Sequence, residues 1–363
     1  MSRKALLRWN PVLGKVSGMS VDEVPEPVLA PTPQPPRAGI SRKGQLLLFA
    51  AGSAALAFLI IRANPRQLAD DIRHAEWAVP AIVAVYGIVY VFNTAAWRLT
   101  MVQPPRLSFG RAYVVGVAAF AINYMTPFAS IGGEPFKIVA ASQWMGASKA
   151  AASVLNFRLI HMQAHLLVFL TGVVLAFALL PPGAIATPVL ALMAAALIAL
   201  AALLFAIHRG GALARIFDVL ERLPLLRQVV ARFANRRAAM VEVDRQMIAF
   251  HKASPARYYG ALVFEYGARV FAMLEFFIIA RAVGHPVTFG TAFLIGGFSS
   301  LVVNLFFFMP FNVGSKEGGL YMIFAALGLP ARLGVAAAVL SRLRELTWIA
   351  IGLLLVLLTR RKD

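Results

Sequence analysis

Two stretches of this sequence place a glutamate and a lysine among glycines where a long apolar run breaks off, and each is followed by an arginine inside a later apolar segment. The first holds Gly132, Gly133, Glu134 and Lys137, with Arg158 lying 24 residues beyond the glutamate. The second holds Gly314, Ser315, Lys316 and Glu317, with Arg342 lying 25 residues beyond, and Arg344 and Glu345 beside it. Glycine lets a backbone come close to a ligand. A helix that starts at such a break presents unpaired N–H groups and the positive end of its dipole. With the lysines as point charges and the arginines as directional donors, the set suits a phosphate. The glutamates would hold these cations apart in an empty site, contact a cationic head group, or simply stabilise the helix N-termini. All twelve residues are candidate substrate contacts, and duplicated, Gly/Pro-interrupted apolar segments point to a transporter binding site.

Other charges sit equally deep. An ionisable side chain at the centre of a membrane span costs about 2.5–3.5 kcal/mol on the insertion scale, yet Arg158, His161 and His165 share one apolar segment. Glu265, Arg269 and Glu275 share another, and Arg342, Arg344 and Glu345 a third. They must face protein or water and pair with one another; Glu265 and Arg269 at i,i+4 fit an internal ion pair. His161 and His165 lack the carboxylate ligand and the HExxH pattern of a metal site, so polar helix packing is expected, with no metal and no cofactor. Nucleophile elbow, P-loop and dinucleotide fingerprint are all missing from the sequence, which argues against an ATP-driven pump.

The elements that must position these residues are apolar helices. Full spans are expected at about 45–61, 78–101, 150–180, 184–208, 256–282 and 332–359. Segments 110–125 and 289–309 lead into the two breaks, and short helices follow at 135–146 and 316–327. Pro135 suits a first helical turn and Ser315 an N-cap; Gly146, and Gly328 with Pro330 beyond it, suit helix ends. Lys and Arg favour the cytoplasmic side. Segment 209–257 carries ten Lys/Arg against four Asp/Glu, and 360–362 is Arg-Arg-Lys, which puts both inside. Segments 181–183 and 283–288 then face outside. With Arg98, Arg106 and Arg111 also inside, 110–146 must enter and leave from the cytoplasm and 289–329 from the opposite side. The expected fold is an all-α polytopic membrane protein with six full spans and two re-entrant helical hairpins in an inverted repeat, about 110–180 and 289–359. The hairpins are expected to meet near the midplane in one shared cavity, with Gly133 and Gly318 intolerant of alanine.

Composition agrees. The chain of 363 residues is 60% hydrophobic and only 14% charged, with mean hydropathy +0.74, which excludes an ordinary soluble domain. The net charge of +19 flanks apolar spans instead of forming a nucleic-acid motif. There is no cysteine, hence no disulfide framework, thiolate nucleophile or Cys-based metal site. Residues 1–44, with seven prolines and seven Lys/Arg, read as a disordered cytoplasmic tail. Segment 209–257 reads as basic amphipathic helices on the inner leaflet.

Around Asn123-Tyr124-Met125-Thr126-Pro127 with Gly132-Gly133-Glu134-Pro135-Phe136-Lys137, and Pro310-Phe311-Asn312-Val313-Gly314 with Lys316-Glu317-Gly318, the chain resembles the lysylphosphatidylglycerol synthetase/flippase transmembrane family. That family includes flippase-like and hopanoid-cluster-associated members, and the likeness covers roughly 45–360. The resemblance implies a bacterial inner-membrane protein that moves a phospholipid or other polar lipid between leaflets. Full-length synthetases add a soluble aminoacyl-transfer domain that does not follow here before Asp363, so synthetase activity is not expected. A lipid-binding accessory or scaffold protein for a lipid-modifying enzyme is the second reading. An intramembrane transferase using Glu134 or Glu317 as base is the third. Partners would be the lipid, further copies of the chain, or a lipid-synthesis enzyme.

Overall fold

The computed structural model describes residues 64–101, 107–125, 132–180, 186–210, 254–306 and 309–360, together with parts of 50–62 and 245–252. The expected tail 1–44, most of the basic segment 209–257 and much of the span 45–61 lie outside the described residues. No strand occurs among those described. The helices are α1 (Pro65–His74), α2 (Ala78–Thr100), α3 (Phe109–Met125), α4 (Gly133–Met145), α5 (Ala147–Leu179) and α6 (Ala186–Gly210). After the basic segment come α7 (Pro255–Ala272), α8 (Leu274–Ala282), α9 (Phe289–Leu305), a 3-10 turn (Pro310–Asn312), α10 (Ser315–Ala326) and α11 (Ala331–Arg360).

Three of these are long and apolar enough to cross a membrane, by length and composition: Ala78–Thr100, Lys149–Leu179 and Thr187–Ala206. α6 turns Val189, Leu192, Leu200 and Leu203 outward, and α11 exposes Leu354, Leu357 and Leu358, as lipid-facing surfaces do. The 33 residues of α5 extend about 50 Å at 1.5 Å per residue.

The same order of pieces occurs twice. α3 and α9 have 17 residues each, α4 and α10 have 13 and 12, and α5 and α11 have 33 and 30. Gly146 at φ 81° turns α4 into α5, and Gly328 at φ 72°, followed by Pro330, turns α10 into α11. Both are backbone conformations that glycine adopts without penalty. The leading helix of each set packs on the long helix of the other: α3 on α11, and α9 on α5. α2 and α7 pack closely on one another, with Gly260 and Gly267 against Leu99 and Phe92. α1 is tied to α11 by Asp71 and Arg332 at 3.2 Å.

The expected single span at 256–282 is two helices. The chain breaks at Met273, whose sulfur is pressed against the bare backbone of Gly296 in α9. The helix break thus separates Glu265 and Arg269 from Glu275.

Candidate functional site

Each short helix opens onto its own cavity. At the start of α4 the Gly133 N–H donates to Asn123 Oδ1 on α3 at 2.5 Å, so the asparagine satisfies one of the helix's orphan donors. A Cβ at Gly133 would overlap the Ala119 carbonyl oxygen and lie 2.7 Å from Asn123 Oδ1. One residue on, Glu134 accepts from Arg158 Nη1 at 3.3 Å. Lys137, one turn further, has its ammonium 4.7 Å from the Phe157 ring centre and 5.4 Å from that of Trp97. These are cation–π contacts, and Lys137 has no hydrogen bond or ion pair among the described residues. Glu134, Lys137 and Arg158 line a cavity of about 260 Å³. Gly132 and Gly133 stand behind its wall.

At the start of α10 the N-cap is Gly314, at φ 83°, not the expected Ser315, which is the first helical residue and donates its hydroxyl to the Asn312 carbonyl at 3.1 Å. The chain must turn through a left-handed conformation at that point, which glycine tolerates and serine resists. Glu317 accepts from the Gly314 N–H at 2.8 Å and from Arg342 Nε at 2.5 Å. Arg342 also donates to the carbonyls of Phe311 and Asn312, at 3.2 and 3.1 Å. Both of those residues have positive φ, 55° and 53°. Lys316 meets Glu345 at 2.6 Å. Lys316, Arg342, Arg344 and Glu345 line a second cavity of about 270 Å³, while Gly314, Ser315 and Glu317 form its scaffold.

Each glutamate–arginine spacing noted in the sequence is therefore a direct ion pair, but the two differ. Arg158 and Glu134 expose 47% and 25% of their side chains; Arg342 and Glu317 expose 24% and 1%. A pair as open as the first contributes at most about 1 kcal/mol.

The two short helices line neighbouring cavities. Tyr86 and Arg269 line both and form the wall between them. On the first side, Glu265 is fully buried and accepts from Asn93 Nδ2 at 2.5 Å. It also meets His161 Nδ1 at 2.8 Å and Arg269 at 3.4 Å, so the expected i,i+4 pair is present. On the second side, Arg344 grips both oxygens of Glu275 at 3.0 Å, with its guanidinium 3.6 Å from the Tyr86 ring centre. The Tyr86 hydroxyl donates to the same carboxylate at 3.0 Å. His161 and His165 meet edge to face, ring centres 5.0 Å apart, and no metal-holding cluster of three His, Asp or Glu occurs among the described residues.

A third hollow, of about 480 Å³, adjoins the second cavity and shares Tyr124, Arg342 and Glu345 with it. Its other walls are Phe311, Leu346 and Ile349, and Phe311 and Leu346 are exposed at the surface. A polar cavity here runs directly into an apolar groove.

Sequence reasoning missed Tyr86, Asn93 and the tyrosine between them. The signal was available: Tyr86, Tyr90, Asn93, Thr94 and Trp97 recur at i, i+4, i+7, i+8 and i+11, one polar stripe along an otherwise apolar helix.

The expectation for Gly318 also changes. A Cβ there meets only Leu59 Cδ1, at 3.9 Å, whereas Gly319 would press on Val302 at 2.8 Å and Gly334 on the backbone of Leu320 and Tyr321. Gly133→Ala should lower thermal stability in detergent by about 1–3 kcal/mol through overpacking. Gly318→Ala should raise it by up to about 1 kcal/mol, because alanine is the better helix former. A loss at Gly318 equal to that at Gly133 would contradict the assigned packing.

Long apolar helices with buried charges gathered around internal cavities define an all-α membrane protein. The chain belongs to the lysylphosphatidylglycerol synthase TM region family, whose model matches residues 45–353. No curated protein and no solved structure matches it.

Proposed function

We propose that this protein is a translocator that moves a polar lipid, with a phosphate-bearing head group, between the leaflets of a bacterial inner membrane. The observation that carries the reading is the pair of polar cavities, each beginning at a short helix N-terminus and separated from the other by a single layer, Tyr86 and Arg269. The head group would sit against Lys137 and Arg158 in one cavity and Lys316 and Arg342 in the other, with acyl chains left in the bilayer. The groove at Phe311, Leu346 and Ile349 gives such chains an apolar exit beside the second site. The reciprocal packing of α3 on α11 and α9 on α5 suits two re-entrant halves of opposite orientation, with both termini and 209–257 cytoplasmic. Transport is favoured over chemistry because Glu134 and Glu317, the two candidate bases, are each held by an arginine.

Purified protein in liposomes carrying fluorophore-labelled phospholipid tests the reading. A membrane-impermeant quencher should reach inner-leaflet label only when active protein is present. The second reading, a lipid-binding accessory protein, draws on the tight Arg344–Glu275 lock beside the wall, in the second cavity. Saturable lipid binding with no leaflet exchange would establish that reading in place of the first.

A further inference from the structure

In the wall between the cavities, one guanidinium and one imidazole share a single carboxylate. Arg269 Nη2 lies 2.8 and 3.0 Å from the two ring nitrogens of His161, and its own Nε is buried with no hydrogen-bond partner among the described residues. Glu265 is closer to His161, at 2.8 Å, than to Arg269, at 3.4 Å. His161 lines the first cavity. One turn along α5, His165 lines the second, and its Nδ1 is buried and unpartnered.

A neutral His161 ring fits this arrangement, with Nδ1–H donating to Glu265 and the guanidinium nitrogen lying against the ring, 2.8 Å from Nδ1 and 3.0 Å from Nε2. Protonation at Nε2 sets a second cation within 3.0 Å of Arg269. The imidazolium keeps the nearer carboxylate, and the guanidinium loses its place. Surrounding cations oppose a positive charge on the ring. Arg158 on α5 and Lys137 on α4 are cations in the same electrostatic neighbourhood. From α2 come the Asn93 amide, bonded to Glu265, and the hydroxyls of Tyr86 and Tyr90, which line the same cavity. α9 carries no ionisable residue, and α6 has His208 and Arg209 only at its C-terminal end. Glu265 is thus the one carboxylate bonded to His161 among the described residues.

We propose that the wall is a proton-operated gate: a proton on His161 and the guanidinium of Arg269 compete for Glu265, and passage between the cavities opens when the proton wins. The released Arg269 swings to the free Nδ1 of His165 on the second side and returns when the Nε2–H bond of His161 is given up to water in the first cavity. This inference rests on the translocation reading, and its test separates the two.

Leaflet exchange is measured in liposomes with equal pH on both sides, from about pH 8 down to about pH 4, an interval that brackets an ordinary imidazole and extends below it. Above the midpoint, exchange should fall about tenfold per pH unit as the protonated fraction falls. In His161→Gln an amide donates to Glu265 and accepts from Arg269 at every pH, so any exchange that remains should be independent of pH. A flat wild-type profile, or a wild-type slope retained in His161→Gln, overturns the gate. The second readout needs no transport: 15N spectra of the protein in nanodiscs, with His161 assigned from the signal missing in His161→Gln. Acid should convert the ring from neutral to doubly protonated and shift the Arg269 Nε resonance in the same step. If that linked titration occurs without exchange at any pH, the competition for Glu265 stands and translocation falls. If exchange occurs without the linked titration, translocation stands and the gate falls.

Discussion

Arg342→Ala should destabilise the protein by about 3–5 kcal/mol, the range for removing one member of a buried ion pair, whereas Arg158→Ala should cost about 1 kcal/mol or less. The two arginines are equivalent by sequence spacing, but not by what they hold. Arg342 is the partner of Glu317, only 1% exposed, and of two carbonyls in left-handed backbone. Arg158 makes a single contact to a glutamate that already reaches solvent. Both substitutions should abolish leaflet exchange, since each removes a cation from its cavity. Only Arg342→Ala should also lower the midpoint of thermal unfolding in detergent by a large amount. Equal losses of stability in the two variants would mean that the difference in burial carries no energetic weight.

The second large effect is expected in the second cavity, beside the wall. Arg344 and Glu275 expose 6% and 1% of their side chains. Arg344→Met alone leaves a buried carboxylate with only the Tyr86 hydroxyl as partner and should cost about 3–5 kcal/mol. Adding Glu275→Leu removes the stranded charge and should return most of that loss, because a buried pair replaced by apolar side chains of similar size is often neutral. Melting curves of the two single variants and the double variant form a thermodynamic cycle. A double variant no more stable than either single would show that the pair is not the unit of stability.

Much of this architecture is legible in the order of residues alone. The two Gly–Glu breaks, with arginines 24 and 25 residues later, locate both cavities, because a short helix followed by a long antiparallel neighbour returns that arginine to the short helix's N-terminus. The break at Met273 is not legible, since no proline or glycine marks it and the apolar run continues across it. At the break Met273 packs against Gly296, which lies in a different helix. The division into two cavities is equally hidden. Its wall joins Tyr86 of α2 to Arg269 of α7, residues far apart in sequence. The expectation for Gly318 fails because motif likeness does not reveal which face of a helix meets a neighbour; the close approach falls on Gly319 and Gly334.

The kinked backbone before α10 has one more consequence. Phe311 and Asn312 both occupy a conformation that costs non-glycine residues of order 1–3 kcal/mol each, and one guanidinium holds both carbonyls. The segment is therefore a cocked spring with Arg342 as its latch. On the translocation reading, a phosphate that draws Arg342 toward itself in the second cavity would withdraw the same donors from the kink and couple ligand arrival to backbone release. Arg342→Ala leaves the spring without its latch, and amide exchange at Gly314 and Ser315 should accelerate there with no ligand present.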